Sequence, residues 1–250
     1  MRLLLVNDDG IHAEGIYKLA KELEKNHELL IVAPDDEKSA QSQAITIRKS
    51  LIVKEVELKG LKSKAYSVSG TPADCVRVAM DKLIDEPIDM VLSGINMGVN
   101  LGMDVLYSGT VSAAIEANIH KLPSMALSAE LKHGKINYDI AAKYGSYILE
   151  KSKDQFVKNN IVLSINTPLL EEDEIKGIKV CKIGGIVYDY YRMENSEVKG
   201  EATLTLEGRR KDGSEKDTDR YYLGEGYITI TPIHYDLTNF DLLGKVESWL

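Results

Sequence analysis

Leu3-Leu4-Leu5-Val6-Asn7-Asp8-Asp9-Gly10 opens with four apolar residues and breaks at once into an acidic turn. A continuous apolar run of this length, closed by turn residues, reads as a parallel strand buried on both faces. Ile16, Leu19, Ala20 and Leu23 follow at helical spacing, with Lys18, Lys21, Glu22 and Lys25 on the opposite face. Leu29 to Ala33 repeats the strand pattern and ends in Pro34-Asp35-Asp36. Strand, helix and strand within 33 residues make a βαβ unit, and a parallel sheet follows from it.

The rest of the chain continues the pattern. Ala44 to Leu58 alternates and predicts a β-excursion or hairpin. Thr71-Pro72-Ala73-Asp74 opens a helix to about Ile84, with Thr as cap, Pro at the first helical position and Asp near the positive end. Strands are expected at Asp89–Leu92, Pro123–Ser128 and Ile161–Ile165, and helices at Val111–Ile119 and from Ile136 to about Glu150. Beyond about Ile175 the segments become short, β-branched and aromatic, as in Lys179–Ile183 and Tyr227–Thr231, around the polar tract Gly208–Arg220. The expected fold is therefore α/β: a Rossmann-like, mainly parallel sheet with helices on both faces over residues 1–174. A smaller antiparallel β-appendage and a closing helix at Asp241–Leu250 are expected over 175–250, packed on the first part.

Composition bounds the function. The 250 residues are 44% hydrophobic and 28% charged, which is ordinary for a globular protein. A net charge of -8 argues against duplex nucleic acid as partner. Cys75 and Cys181 are far apart, in no metal-type spacing, and read as reduced thiols. The apolar run at the N-terminus is too short for a secretion signal, and no run of about 18 apolar residues exists. A cytoplasmic protein without a membrane partner is expected.

Four segments carry chemistry. The pair Asp8–Asp9 leaves the carboxyl end of a strand, where open α/β sheets bind ligands. Its oxygens suit a hard cation such as Mg2+, Mn2+ or Ca2+, although Asn-Asp-Asp-Gly is also good turn chemistry. The loop Asp35–Ser42, with Ser39, leaves the next strand at the same sheet edge, as a solvated loop or a further source of oxygen ligands. The stretch Gly94–Gly102 contains Asn96 and Asn100 but matches neither G-x-G-x-x-G nor G-x-x-x-x-G-K-[ST], which excludes the usual dinucleotide and P-loop signatures. Tyr107-Ser108-Gly109-Thr110 enters a helix, where free N–H groups make either an anion seat or an ordinary cap. Among the remaining residues, His12 and His234 read as unremarkable histidines. The tyrosines of the appendage (Tyr188, Tyr190, Tyr191, Tyr221, Tyr222, Tyr227) could stack on a nucleobase or pack within the appendage. Adjacent acids followed by Gly10 depart from the Asp-x-Asp spacing of aspartyl-phosphate enzymes.

Taken together, Asn-Asp-Asp-Gly at 7–10, Gly-Thr-Pro-Ala-Asp-Cys at 70–75, Ser-Gly-Ile-Asn at 93–96 and Tyr-Ser-Gly-Thr-Val at 107–111 resemble the SurE family of survival-protein nucleotidases. Gly226-Tyr227 and Thr229-Ile230-Thr231-Pro232 resemble it as well. The resemblance implies a 5'-nucleotidase dependent on one divalent cation, able to take 3'-nucleotides and short polyphosphate. It implies Asp8, Asp9, Ser39 and Asn96 as metal ligands, with Asp8 and Asp9 catalytic. Asn100, Ser108, Gly109 and Thr110 would line the phosphate site, and the protein would assemble as a homodimer or homotetramer. Asp9 and Asp104 are the candidates for orienting water. Gln43 departs from the Asn usual in relatives, and Ser164 from the Asn that opens their Asn-Ile-Asn-x-Pro run.

Overall fold

The computed structural model describes residues 1–186, 190–196, 198, 200–206 and 214–250. Tyr188 and residues 208–213 of the polar tract lie outside the described residues. Eleven strands are formed by the described residues: β1 (Arg2–Val6), β2 (Glu28–Pro34), β3 (Val53–Val56), β4 (Lys64–Val68), β5 (Met90–Met97), β6 (Ser124–Ala129), β7 (Val162–Thr167), β8 (Ile178–Val180), β9 (Tyr191–Asn195), β10 (Ala202–Leu206) and β11 (Ile228–Ile233). The helices are α1 (Glu14–Leu23), α2 (Pro72–Val78), α3 (Gly109–Ile119), α4 (Tyr138–Asn159), α5 (Asp219–Gly224) and α6 (Leu243–Glu247).

Nine strands form one sheet in the order β3-β4-β2-β1-β5-β6-β7-β11-β8. From β4 to β7 all neighbours run parallel. Both faces of β1 are buried, as its unbroken apolar run requires. Leu3 and Leu5 pack in one layer with Ile16 and Leu19 of α1 and Ile148 of α4. Leu4 and Val6 point the other way, into Cys75 and Val76 of α2 and Ala113 and Ala117 of α3. The alternation along a strand sends successive side chains to opposite layers, so one short run of sequence anchors both.

Local chemistry explains the element boundaries. Thr71 caps α2 through Asp74 N–H at 3.1 Å, and Asp74 accepts from Thr71 N–H at 3.0 Å, a reciprocal capping box with Pro72 at the first helical position. The chain then continues through a π-helical turn, Ala79–Leu83. Helix α4 runs nine residues past the expected end and stops at Asn160, whose left-handed conformation (φ 46°) closes it.

Three expectations are corrected. Within Ala44–Leu58 only Val53–Val56 is a strand. The preceding segment instead gives its backbone donors to side chains: Thr46 N–H to both Asp74 carboxylate oxygens, at 3.0 and 3.1 Å, and Ile52 N–H to Ser69 Oγ at 2.8 Å. Strand β4, which pairs antiparallel with β3, escaped the sequence reading. Tyr227–Thr231 and Lys179–Ile183 correspond to β11 and β8, which extend the main sheet. β11 runs antiparallel to β7, and β8 parallel to β11. Ile228, fully buried, and Ile230 join the layer of Leu3 and Leu5, which gives these strands a reason to continue the sheet. The separate antiparallel unit is the β9–β10 hairpin. The closing helix is short, a 3-10 turn at Phe240–Leu242 followed by α6. No helix among the described residues is long and apolar enough to cross a membrane.

Candidate active site

The sheet order fixes where a ligand can bind. From β1 the chain passes through α1 to β2 on one side, whereas from β5 it passes through α3 to β6 on the other. The carboxyl ends of β1 and β5 therefore flank the topological switch point, where the connections diverge and leave a crevice. Asp8 and Asp9 follow β1, and Asn96 lies near the end of β5. Between Ser93 and Asn96 the register of β5 against β6 slips. Such an irregularity re-aims the following side chain, here Asn96.

The acidic turn is braced from below. Asn7 is buried; its Nδ2 donates to Gly10 O at 2.8 Å and its Oδ1 accepts from Gly10 N–H at 3.2 Å. Gly10 has φ +101°, a conformation a side chain would strain. Asp8 is 3% exposed. One of its carboxylate oxygens accepts from Thr110 Oγ1 at 2.5 Å. Burial pushes the Asp8 carboxyl up to about 6, against the pull of the Thr110 hydrogen bond and with a further push from Asp9. Burial also raises Asp9, against a 2.9 Å hydrogen bond from Met97 N–H, and Glu37 adds to the rise. Neither acid has an ion-pair partner among the described residues. Two desolvated carboxylates side by side are an arrangement that positive charge would relieve.

The other expected residues converge on Asp8. The loop after β2 is held by Lys38 N–H donating to Asp8 O at 2.7 Å, which brings Ser39 to the same edge. Ser42 then ties the loop to the entry of α3: its N–H donates to Tyr107 O at 2.9 Å and its Oγ to Leu106 O at 2.6 Å. Gln43 donates to Glu116 Oε2 at 2.9 Å, and Arg77 bridges the same buried carboxylate at 2.9 Å. Asn96 commits its Nδ2 to Gly98 O at 2.7 Å, which leaves the amide oxygen as the group it can offer. A cleft of about 570 Å3 is lined by Asp8, Ser39, Asn96, Asn100 and Ser108, together with Asp104 and Tyr107.

Three residues sit differently from the others. Asp9 opens onto an adjacent cleft of about 690 Å3 with Glu37, Lys135 and Tyr138. Thr110 is fully buried, and its hydroxyl is committed to Asp8. Gly109 packs against Asp8 so closely that a Cβ there would stand 2.8 Å from the Asp8 Cβ. Ser108 caps α3, accepting from Val111 N–H at 3.1 Å.

Two supports of the glycine-rich loop were missed by the sequence reading. Asn166, at the end of β7, brackets Asn100 like a strand partner: Asn100 N–H donates to Asn166 Oδ1 at 2.8 Å, and Asn166 Nδ2 to Asn100 O at 3.1 Å. Asn100 Nδ2 reaches Ser128 Oγ at 2.9 Å. Buried Asp219, in the first turn of α5, accepts from Gly102 N–H at 2.7 Å and from Gly184 N–H at 3.0 Å. The Asn in Ser164-Ile165-Asn166-Thr167-Pro168, at the carboxyl end of a strand, was a usable signal for the first. Asp219 offered none.

The family profile described as "Survival protein SurE" matches residues 3–189. The chain is 53% identical over 249 residues to the 5'-nucleotidase SurE of Clostridium tetani, with 100% of each chain covered. It is 52% identical over 249 residues to that of Clostridium botulinum strain ATCC 19397, with 99% and 98% covered. The crystal structure of the SurE protein from Aquifex aeolicus matches the fold with a TM-score of 0.87 at 34% identity, over 100% of this chain and 99% of that one. On sequence and fold together, the chain belongs to the SurE family.

Proposed function

We propose that the chain hydrolyses nucleoside 5'-monophosphates to nucleoside and phosphate, using one divalent cation held at the Asp8–Asp9 turn. Relatives that match it end to end are named 5'-nucleotidases. The observation that carries the reading is the cleft at the switch point, lined by Asp8, Ser39, Asn96, Asn100 and Ser108 together.

The donor set fits a hard cation. Asp8, Asp9, Ser39 and Asn96 offer two carboxylates, a hydroxyl and an amide oxygen, the ligand class of Mg2+, Mn2+ or Ca2+. Among the described residues no cluster of three or more His, Cys, Asp or Glu side chains is placed to hold a metal, so the neutral oxygens are needed to complete such a site. When bound, the cation supplies charge against the phosphate oxygens and Lewis acidity toward water.

The chain's own residues do the rest. Ser108, at the positive end of α3, and Asn100 hold the phosphate. Gly109 and Thr110, behind Asp8, fix the carboxylate that faces the cleft. Asp9, or Asp104 on the cleft wall, orients the attacking water and takes its proton. Because phosphoryl transfer leaves little covalent work to the protein, positioning and charge stabilisation dominate. The same site would accept 3'-monophosphates and short polyphosphates, whose terminal phosphate is alike.

Residues 175–250 we assign to assembly as a homodimer or homotetramer. Leu237, Phe240 and Trp249 of the tail are 92%, 65% and 66% exposed, an apolar surface that a second copy would cover. The reaction is placed in the cytoplasm. The test pairs calorimetric titration of Mn2+ with phosphate release from AMP, in the wild type, Asp8→Asn and Asp9→Asn. Both variants should lose Mn2+ affinity and turnover while keeping the wild-type circular dichroism. Near wild-type turnover in either would sink the ligand assignment.

A further inference from the structure

We infer that Glu116 is a positioning residue for the proposed cation site: through Gln43 it fixes the loop after β2, which carries Ser39 to the Asp8 cleft. This rests on the nucleotidase reading above and adds to it a residue outside the cleft.

Burial and helix position both work against a carboxylate at 116. The residue is 3% exposed, and it lies in the last turn of α3, at the negative end of the helix. Its neighbours Ala113 and Ala117 on the same helix are apolar and fully buried. A buried carboxylate is tolerated where partners satisfy its oxygens. Oε1 accepts from Arg77 Nη1 of α2 at 2.9 Å, and His120 Nε2 lies 3.3 Å from it. Oε2 accepts from Gln43 Nε2 at 2.9 Å. The Arg77 contact joins two packed helices, and that packing accounts for it. The Gln43 contact reaches instead into the loop that follows β2, 73 residues away in sequence.

The loop needs such a hold. Ala40 and Ser42 have left-handed backbones, with φ 56° and 52°. Residues with a Cβ adopt this conformation at a cost and keep it where the surroundings impose it. Ser39 Oγ donates to Glu37 Oε1 at 2.8 Å, a contact inside the loop that does not set where the loop lies. On one side of Ser39 the position is set by Lys38 N–H on Asp8 O. On the other side Ser42 bonds to Leu106 O and Tyr107 O, in the turn before α3, and Gln43 bonds to α3 itself. Thr71 and Asp74 hold the chain from Ala44 onward. Glu116 thus ties the Ser39 loop to the helix whose first turn follows Ser108. Gln43 does not line the cleft, so its amide acts on the site through the loop.

The test measures Mn2+ affinity by calorimetric titration without substrate, and amide hydrogen exchange without cation. Gln43→Ala should weaken Mn2+ binding roughly ten-fold. It should also quicken exchange at the Ser42 and Thr46 amides, which are hydrogen-bonded on either side of Gln43. Turnover of AMP should fall at limiting Mn2+ and recover when Mn2+ is in excess. Gln43→Glu sets carboxylate against carboxylate and should bind Mn2+ more weakly than Gln43→Ala. In a Glu116→Gln background the same change reverses donor and acceptor, and affinity should come within about two-fold of the Glu116→Gln single variant. Arg77→Ala removes the helix contact alone. It should lower the denaturation midpoint and leave Mn2+ affinity within about two-fold of the wild type. Wild-type affinity and exchange in Gln43→Ala, or an equal loss of affinity in Arg77→Ala, would overturn the positioning role. A wild type that neither binds Mn2+ nor releases phosphate from AMP would instead remove the nucleotidase reading, and this inference with it.

Discussion

Thr110 Oγ1 donates a 2.5 Å hydrogen bond to a carboxylate oxygen of Asp8, across 102 residues of sequence and with both side chains buried. The bond joins the first turn of α3 to the acidic turn after β1, so the proposed phosphate seat and the proposed cation site are held in one register. Thr110→Val keeps the shape and removes the donor. A hydrogen bond to a charged group is worth about 1.5–3 kcal/mol, so kcat/KM for AMP should fall roughly ten- to hundred-fold. The bond favours the ionised carboxylate, so its loss should also move the acid limb of the pH profile to higher pH. Thr110→Ser should retain most of the activity. Steady-state kinetics across pH 5 to 8 check this, and an unaltered profile in Thr110→Val would contradict it.

Asp8 also makes stability depend on pH when no cation is present. Burial lifts its folded pKa to about 6, from an ordinary value of 3.8. An acid raised by folding favours the folded state while protonated. That contribution is complete below the unfolded value and is lost as pH rises through the folded one. A rise from 3.8 to about 6 corresponds to about 3 kcal/mol. In chelator, the wild type should therefore lose up to that amount relative to Asp8→Asn between about pH 4 and 7, as read from urea unfolding. A wild-type to variant difference that stays flat with pH would show that Asp8 is not so buried.

Gly109 touches the site from behind. A methyl group there would meet Asp8 Cβ at 2.8 Å and an Asp8 carboxylate oxygen at 2.9 Å. Gly109→Ala should cost about 1–3 kcal/mol through overpacking, or less if Asp8 yields. Activity should suffer more than stability, because the group that must move is the one facing the cleft. Comparing the denaturation midpoint with kcat separates the two effects. A variant as active as the wild type would mean that Asp8 can shift without consequence.

These contacts show how much of the site could be read from the chain. Asp8–Asp9, Ser39, Asn96 and Ser108 were visible because each sits in a short motif just after a strand or at a helix start, where local rules place ligands. The capping box of Thr71 and Asp74 was legible for the same reason, but its second role was not. Asp74 also fixes the backbone of Thr46, and Thr71 Oγ1 donates to Ala44 O at 2.6 Å, so the helix start holds the segment that follows the Ser39 loop. The Tyr-Ser-Gly-Thr motif points to Thr110 as part of the phosphate site, yet Thr110 is fully buried with its hydroxyl on Asp8, a difference that only packing decides. Strands β8 and β11 have the short, β-branched look of an appendage. Their place on the main sheet depends on the open edge of β7, which no local pattern encodes.

Asp219 is the clearest case of a residue without a sequence signal. One carboxylate oxygen accepts from Gly102 N–H, and the other from Gly184 N–H and from Arg220 N–H at 2.7 Å. It thus ties the glycine-rich loop to the segment leading into the β9–β10 hairpin. Asp219→Ala would leave buried donors unmet, at about 1–3 kcal/mol each. The expected result is a lower denaturation midpoint together with a higher KM for AMP, since the walls carrying Tyr107 and Tyr191 lose their common anchor. A stability loss with KM unchanged would confine Asp219 to a structural role.

Hydrolysis of nucleoside monophosphates in this cleft with a divalent cation, as proposed, is open to direct assay. The most direct measurement is phosphate release from a panel of nucleoside 5'- and 3'-monophosphates and short polyphosphates, each with Mg2+, with Mn2+ and with chelator. Release from the 5'-monophosphates is expected with at least one of the cations, and its loss in chelator. Equal release with and without chelator, or none from any 5'-monophosphate, would contradict it.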